Sequence, residues 1–199
     1  MIRTTIRTLL DNRSAFDGFV TTMKNGGVAA IPTDTLYGFA TDADSVAGVE
    51  AVYRIKGREE TKPLILFIDH IDRLREIGIT PSSQALEILA KHWPGALTAV
   101  FPLNGRPLAA FSHPSLGIRI PAHNDLLALM SAYPGHLLTT SANRSGREPL
   151  GDGDAIEREM GDELDYLFDE GELKPSEPST VIGLDTWPPR VFRAGRVRI

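Results

Sequence analysis

Apolar and polar positions along this chain keep two different rhythms, and the rhythm changes many times. From about 14 to 25, Phe16, Phe19, Val20 and Met23 recur three or four apart, which predicts an amphipathic helix ended by Gly26-Gly27. Val28-Ala29-Ala30-Ile31 follows as a short buried strand. Between 43 and 56 the apolar residues Val46, Val49 and Val52 or Tyr53 share one helical face, and Gly57 stands where a left-handed residue closes a helix. Pro63 prevents that helix from resuming. The run Leu64-Ile65-Leu66-Phe67-Ile68 then reads as a strand covered on both faces.

The same reading predicts helices over 69–77 and 82–92, with Ser82 or Ser83 as caps, and Trp93-Pro94-Gly95 as the break after them. Trp93 itself is expected in the core. Strands follow at 97–101 and 115–121, a helix at 123–133 and a strand at 137–140. The acidic stretch 151–174 reads as a solvated face with a short helix near 155–160. Two last strands, 179–184 and 190–197, pair through the turn at Trp187-Pro188-Pro189. Strands and helices alternate for most of the length, so the expectation is an α/β fold with a mixed sheet, in one domain spanning 1–199.

Composition narrows the functional classes. A net charge of -5 and a pI near 5.5 oppose a chain that holds nucleic acid by bulk electrostatics, and leave room for a local basic pocket. The absence of cysteine excludes disulfides and thiolate chemistry and fits a reducing compartment. Five histidines without close pairing do not suggest a structural zinc site. The first residues lack the apolar core of a secretory signal, and no apolar run is long enough to span a membrane, so the default expectation is a soluble cytoplasmic protein.

Four stretches carry candidate chemistry. Lys56, Arg58 and Lys62 are three cations on the connection between a helix and a buried strand, which suggests an anion site; the alternative is that Lys56 answers the helix dipole while the other two are solvated. Pro32-Thr33-Asp34-Thr35-Leu36-Tyr37-Gly38 crowds polar groups at the carboxyl end of a strand, where α/β sheets bind ligands, unless it is an ordinary turn with Thr33 or Asp34 bonded to nearby backbone. Arg119, inside an apolar alternation, must snorkel, meet an anion or pair with an internal carboxylate. Ser141 to Gly146 is either a backbone nest for phosphate oxygens or a plain turn. Neither standard phosphate fingerprint, G-x-x-x-x-G-K-[ST] or G-x-G-x-x-G, occurs.

Taken in order, PTDTLYG at Pro32, K-G-R and KPL between Lys56 and Leu64, WPGALT at Trp93, GIRIP at Gly117, TTSANRSG at Thr139, STVI at Ser179 and FRAG at Phe192 make the chain resemble the YrdC-type threonylcarbamoyl-AMP synthases over nearly its whole length. The resemblance implies a twisted open mixed α/β sheet with flanking helices and a large concave cavity. It implies a nucleotidyltransferase that joins L-threonine, bicarbonate and ATP, with Mg²⁺, into threonylcarbamoyl-AMP and pyrophosphate, for a partner transferase that modifies a tRNA adenosine. By the same resemblance Lys56 and Arg58 are catalytic. Arg58, Lys62, Ser115, Ser141, Asn143 and Arg193 hold the nucleotide, Thr35, Arg119, Thr139 and Ser179 hold threonine, and no residue is assigned to a metal.

Two departures stand out: Glu59 follows the K-x-R arginine where the family often has proline, and Phe67 stands where some longer relatives have a histidine. Those relatives also carry a further carboxyl-terminal domain, so the short form is implied. The competing readings are an RNA-binding translation or ribosome-maturation factor, taking tRNA or double-stranded RNA in the same concavity, and a paralogue with an altered substrate. The acidic balance opposes RNA.

Overall fold

The computed structural model describes residues 1–57, 63–103, 108, 113–174 and 176–199, so Arg58, Glu59 and Lys62 lie outside the described residues. In chain order the elements are β1 (Ile2–Thr4), α1 (Ile6–Leu10), α2 (Arg13–Lys24), β2 (Ala29–Ile31), β3 (Gly38–Asp42), α3 (Val46–Lys56), β4 (Ile65–Phe67), α4 (Arg73–Glu76), α5 (Ser83–His92), β5 (Leu97–Pro102), β6 (Ser115–Arg119), α6 (Asn124–Ala132), β7 (Leu137–Ser141), α7 (Gly153–Met160), β8 (Tyr166–Phe168), β9 (Thr180–Gly183) and β10 (Arg190–Arg193). No helix among the described residues is long and apolar enough to cross a membrane.

Local chemistry sets the helix ends. The side chains of Asn12, Ser45, Ser82, His123 and Asp152 each accept the backbone N–H three residues on, which satisfies a donor the helix leaves orphaned. Gly57 closes α3 at φ 61°, in the left-handed region where glycine pays no steric penalty. The helix expected over 69–77 is reduced to the single turn of α4. Its chain leaves the sheet late, since the Ile68 N–H still bonds the Arg119 carbonyl, and Gly78 at φ 75° follows its close.

The strands form one open mixed sheet in the order β1-β8-β2-β3-β7-β4-β6-β5-β9-β10. Parallel and antiparallel pairs are interleaved, and the last two strands pair antiparallel as their sequence predicts. Successive strand residues point to opposite faces, and two cores result. Ala30, Phe39, Leu66, Leu138 and Leu167 join the larger core with α3, α5 and α7. Their neighbours Ala29, Ile31, Ala40, Phe67, Leu137, Tyr166 and Phe168 join the other with α1, α2 and α6.

The expectation of a solvated face over 151–174 is corrected. Tyr166–Phe168 is buried as β8, parallel to both β1 and β2. Several of the surrounding carboxylates are bound rather than simply hydrated. Asp154, Glu157 and Asp169 surround Arg3, Asp165 accepts the Val28 N–H, Glu163 pairs with Arg144 and Glu170 with His123.

Candidate active site

Strand parity decides what the second face displays where α1, α2 and α6 do not cover it. Along β7, β4, β6, β5 and β9, the residues Leu138, Leu66, Leu116, Ile118, Leu97, Ala99, Phe101 and Ile182 enter the larger core. Their alternates therefore turn the other way: Thr139 and Ser141, Ile65 and Phe67, Ser115, Gly117 and Arg119, Thr98 and Val100, and Val181. These line a cavity of about 510 Å³, walled further by residues 35–38, Glu148, Pro149, Ser176, Ser179 and Arg193. Gly117 keeps the floor low, because a Cβ there would come within 3.2 Å of Thr98 Cγ2.

At one end stands Arg119, only 4% exposed. Its Nη2 donates to Asp34 Oδ1 at 2.7 Å, its Nη1 to Thr35 Oγ1 at 3.0 Å and its Nε to the Gly95 carbonyl at 2.9 Å. The internal ion pair foreseen as one option for Arg119 is thus present, and two guanidinium hydrogens remain among the described residues. Burial lowers its proton affinity, Asp34 opposes that, and the nearby Arg193 and Arg196 add to it. Thr33 does make the local turn bonds, its Oγ1 accepting from the Thr35 and Leu36 amides and donating to the Leu36 carbonyl.

Beside it, Arg193 donates through Nε and Nη2 to the Ser179 carbonyl and through Nη2 to Ser179 Oγ, while Ser179 Oγ lies 2.8 Å from Thr98 Oγ1. Burial lowers the proton affinity of Arg193 as well. The tail after β10 is strapped down here. Arg196 bonds the Asp34 carbonyl, and the Val197 N–H bonds Thr180 Oγ1.

At the other end the Ser141 to Gly146 turn is locked by Lys56. The Lys56 ammonium donates to the Ser141 carbonyl at 2.7 Å and to Asn143 Oδ1 at 2.5 Å, and the Ser145 N–H returns a bond to the Lys56 carbonyl. Ser141 Oγ also donates to Asn143 Oδ1. Tyr37 braces the wall from behind, donating to the Gly171 carbonyl and accepting from the Glu170 N–H, and burial pushes its phenol up to about 12.

Of the residues singled out from sequence, Thr35, Ser115, Arg119, Thr139, Ser141, Ser179 and Arg193 open onto this one cavity. Lys56 and Asn143 are buried directly behind Ser141. Arg58 and Lys62 lie outside the described residues, although Pro63, next to Lys62, lines the cavity. Thr98 and Glu148 also line it and were not picked out, nor was Asp34 as the partner of Arg119. Trp93 packs against the core as expected, with its Nε1 bonded to the Leu97 carbonyl. Among the described residues no group of three or more His, Cys, Asp or Glu is placed to hold a metal ion.

An open α/β sheet whose uncovered face carries two arginines, a ring of hydroxyls and a locked Ser-Ala-Asn turn defines a protein with a ligand cavity suited to anionic groups. A family model for Sua5, YciO and YrdC, described as "Telomere recombination", matches residues 21–195. The chain belongs to this family. It is 28% identical over 180 residues to a threonylcarbamoyl-AMP synthase of Pyrococcus abyssi, covering 89% of this chain and 52% of the relative. To a putative threonylcarbamoyl-AMP synthase of Methanocaldococcus jannaschii it is 34% identical over 161 residues, 81% of this chain and 76% of the other. Among solved structures, P. abyssi Sua5 complexed with L-threonine superposes with a TM-score of 0.81 at 26% identity, over 98% of this chain and 57% of that one. The E. coli YciO structure shares the fold at a TM-score of 0.80 and 23% identity, over 98% and 93% of the two chains. The chain thus spans little more than half the length of the P. abyssi proteins it matches.

Proposed function

We propose that this chain is a threonylcarbamoyl-AMP synthase, a nucleotidyltransferase that uses L-threonine, bicarbonate and ATP. The observation that carries this reading is the meeting of Thr35, Arg119, Thr139, Ser141, Ser179 and Arg193, drawn from widely separated segments, around one cavity. Membership of the family adds the chemistry, because its relatives bear that name and one is a complex with L-threonine.

In this reading Arg119 takes the amino-acid carboxylate with its two remaining guanidinium hydrogens, a geometry its planar fork suits. Thr35, Thr139 and Ser179 complete the threonine end. ATP lies toward Ser115, Ser141, Asn143 and Arg193, with Arg58 and Lys62 on the connection before Pro63. Lys56 acts from behind, its charge reaching the phosphates through the Ser141 and Asn143 groups it holds.

Threonine and bicarbonate give a carbamate with loss of water, and the carbamate oxygen attacks the α-phosphorus of ATP as pyrophosphate leaves. No covalent enzyme intermediate is required. The chain contributes positioning and stabilisation of charge developing on the leaving group. Mg²⁺ arrives as the counterion of ATP, the substrate. The product then passes to a transferase that modifies tRNA adenosine in the cytoplasm.

The test is pyrophosphate release by purified protein with MgATP, bicarbonate and L-threonine. Release that requires all three is expected. Turnover indifferent to threonine, or none at all, defeats the reading.

A further inference from the structure

Thr98 belongs to a motif that the reaction above leaves unused, WPGALT, and it faces the cavity fully buried, with Ser179 beside it at 3% exposure. Their hydroxyl oxygens are 2.8 Å apart, and Ser179 Oγ also receives a hydrogen from Arg193 Nη2 at 3.1 Å. The hydrogens can be counted. The two hydroxyls own one each, and a guanidinium accepts none. One hydrogen is consumed in the bond between them. The second has no acceptor among the described residues, whichever of the two oxygens carries it, and the space both side chains share is the cavity. Buried hydroxyl hydrogens are ordinarily satisfied, so a ligand acceptor is the expected partner.

The charge beside this hydrogen identifies the acceptor. Arg193 touches Ser179, and Arg119 is near enough to feel the charge of Arg193. An oxygen bearing negative charge fits there.

We infer that Thr98 is a positioning residue, which with Ser179 presents one hydroxyl hydrogen beside Arg193 to an anionic oxygen of the amino-acid half of the substrate. The inference rests on the synthase reading for the identity of that substrate. If Thr98 donates to Ser179, both acceptor positions of the serine are filled and its hydrogen is aimed outward; if it accepts, it carries the free hydrogen itself. In both cases valine at 98 keeps the shape and leaves a freely rotating serine.

Pyrophosphate release is titrated with L-threonine at saturating MgATP, and with MgATP at saturating threonine, for the wild type, Thr98→Val and Thr98→Ser. Thr98→Val is expected to raise KM for threonine about tenfold, the loss of one charge-assisted hydrogen bond, while KM for ATP stays within about twofold. Thr98→Ser is expected to restore threonine KM to within about twofold of the wild type, because it returns the hydroxyl. Unchanged KM in Thr98→Val, equal rises in both KM values, or no rescue by serine overturns the inference. Thr98→Cys, of similar volume and a weak donor, replaces the valine variant if that one does not fold, and its threonine KM is expected between the two.

Wild-type protein without threonine-dependent turnover defeats the synthase reading separately. Calorimetry with L-threonine then decides the hydroxyl pair. Weaker binding by Thr98→Val supports it, and equal binding, or none by the wild type, overturns it.

Discussion

Arg119 holds its charge in a nearly closed space, and the carboxylate of Asp34 is what makes that tolerable. The two side chains are 5% and 11% exposed and meet at 2.7 Å, while Arg193 and Arg196 stand close by with charge of the same sign. Removing one partner of a buried pair costs far more than the pair contributes, because the survivor is left uncompensated. Asp34→Ala is therefore expected to lower the free energy of unfolding by about 3 kcal/mol. A urea denaturation midpoint that does not move would contradict this. His136 offers a second check at this scale. Burial lowers its proton affinity below the ordinary value of 6.5, and the Arg73 charge lowers it further. As pH falls through 6.5 the unfolded chain takes up the proton before the folded one, so stability is full above 6.5 and is lost as pH drops toward the folded value. His136→Gln should flatten that slope in denaturation midpoints measured across the window. It should leave untouched the loss below 3.8, where Asp169 titrates. Burial pushes that carboxyl up, but Arg3 and the Gly171 N–H outweigh burial and hold it below its ordinary value.

At the scale of the element, most helices were legible because their signals are local, although the five-residue α1 was not foreseen. Ser82 and the closing Gly57 sit where the pattern of apolar residues begins and ends, as do the caps at Asn12 and Ser45, which were not singled out from sequence. Strands β1 and β8 were not legible, because three residues become a strand only through neighbours far away in sequence, and β3 was missed although it pairs with nearby β2. Tyr166-Leu167-Phe168 was further masked by flanking acids whose partners, Arg3, Arg144 and His123, no local window contains. The site was read from the order of its motifs, so Thr98 passed as one polar residue in an apolar run. Its parity, out of step with Leu97 and Ala99, is the signal that would have marked it. The tail after β10 shows what such contacts cost to disturb. A Cβ on Gly195 would fall 2.2 Å from the Pro178 carbonyl oxygen and 2.8 Å from Ser179 C, both backbone atoms that cannot swing aside. Gly195→Ala is expected to push the tail off Ser179, costing about 1–3 kcal/mol as overpacking does. Because Arg193, proposed for ATP, and Ser179, proposed for threonine, would separate, KM for both substrates should rise as well. A variant with wild-type stability and kinetics would show that the strap is dispensable.

For the molecule as a whole, the cavity floor is five adjacent strands, β7-β4-β6-β5-β9, with Arg193 supplied by the strand that follows them at the sheet edge. Its residues come from Thr33 through Arg193, so no part of the chain smaller than most of the sheet assembles the site. A ligand that binds only this assembly must stabilise the whole fold by mass action, whatever its individual contacts. At a hundredfold excess over Kd the gain is about 2.7 kcal/mol. For a chain of 199 residues each kcal/mol shifts Tm by roughly 2–4 °C, so MgATP and L-threonine near saturation should raise Tm by about 5–10 °C. The same experiment separates a site from incidental stabilisation by salt or solute. The shift should saturate with ligand concentration and shrink markedly in Arg119→Ala, which lacks the guanidinium proposed to take the threonine carboxylate, when compared with that variant's own ligand-free Tm. A shift that grows without saturating, or that survives unchanged in Arg119→Ala, would place binding elsewhere than this cavity.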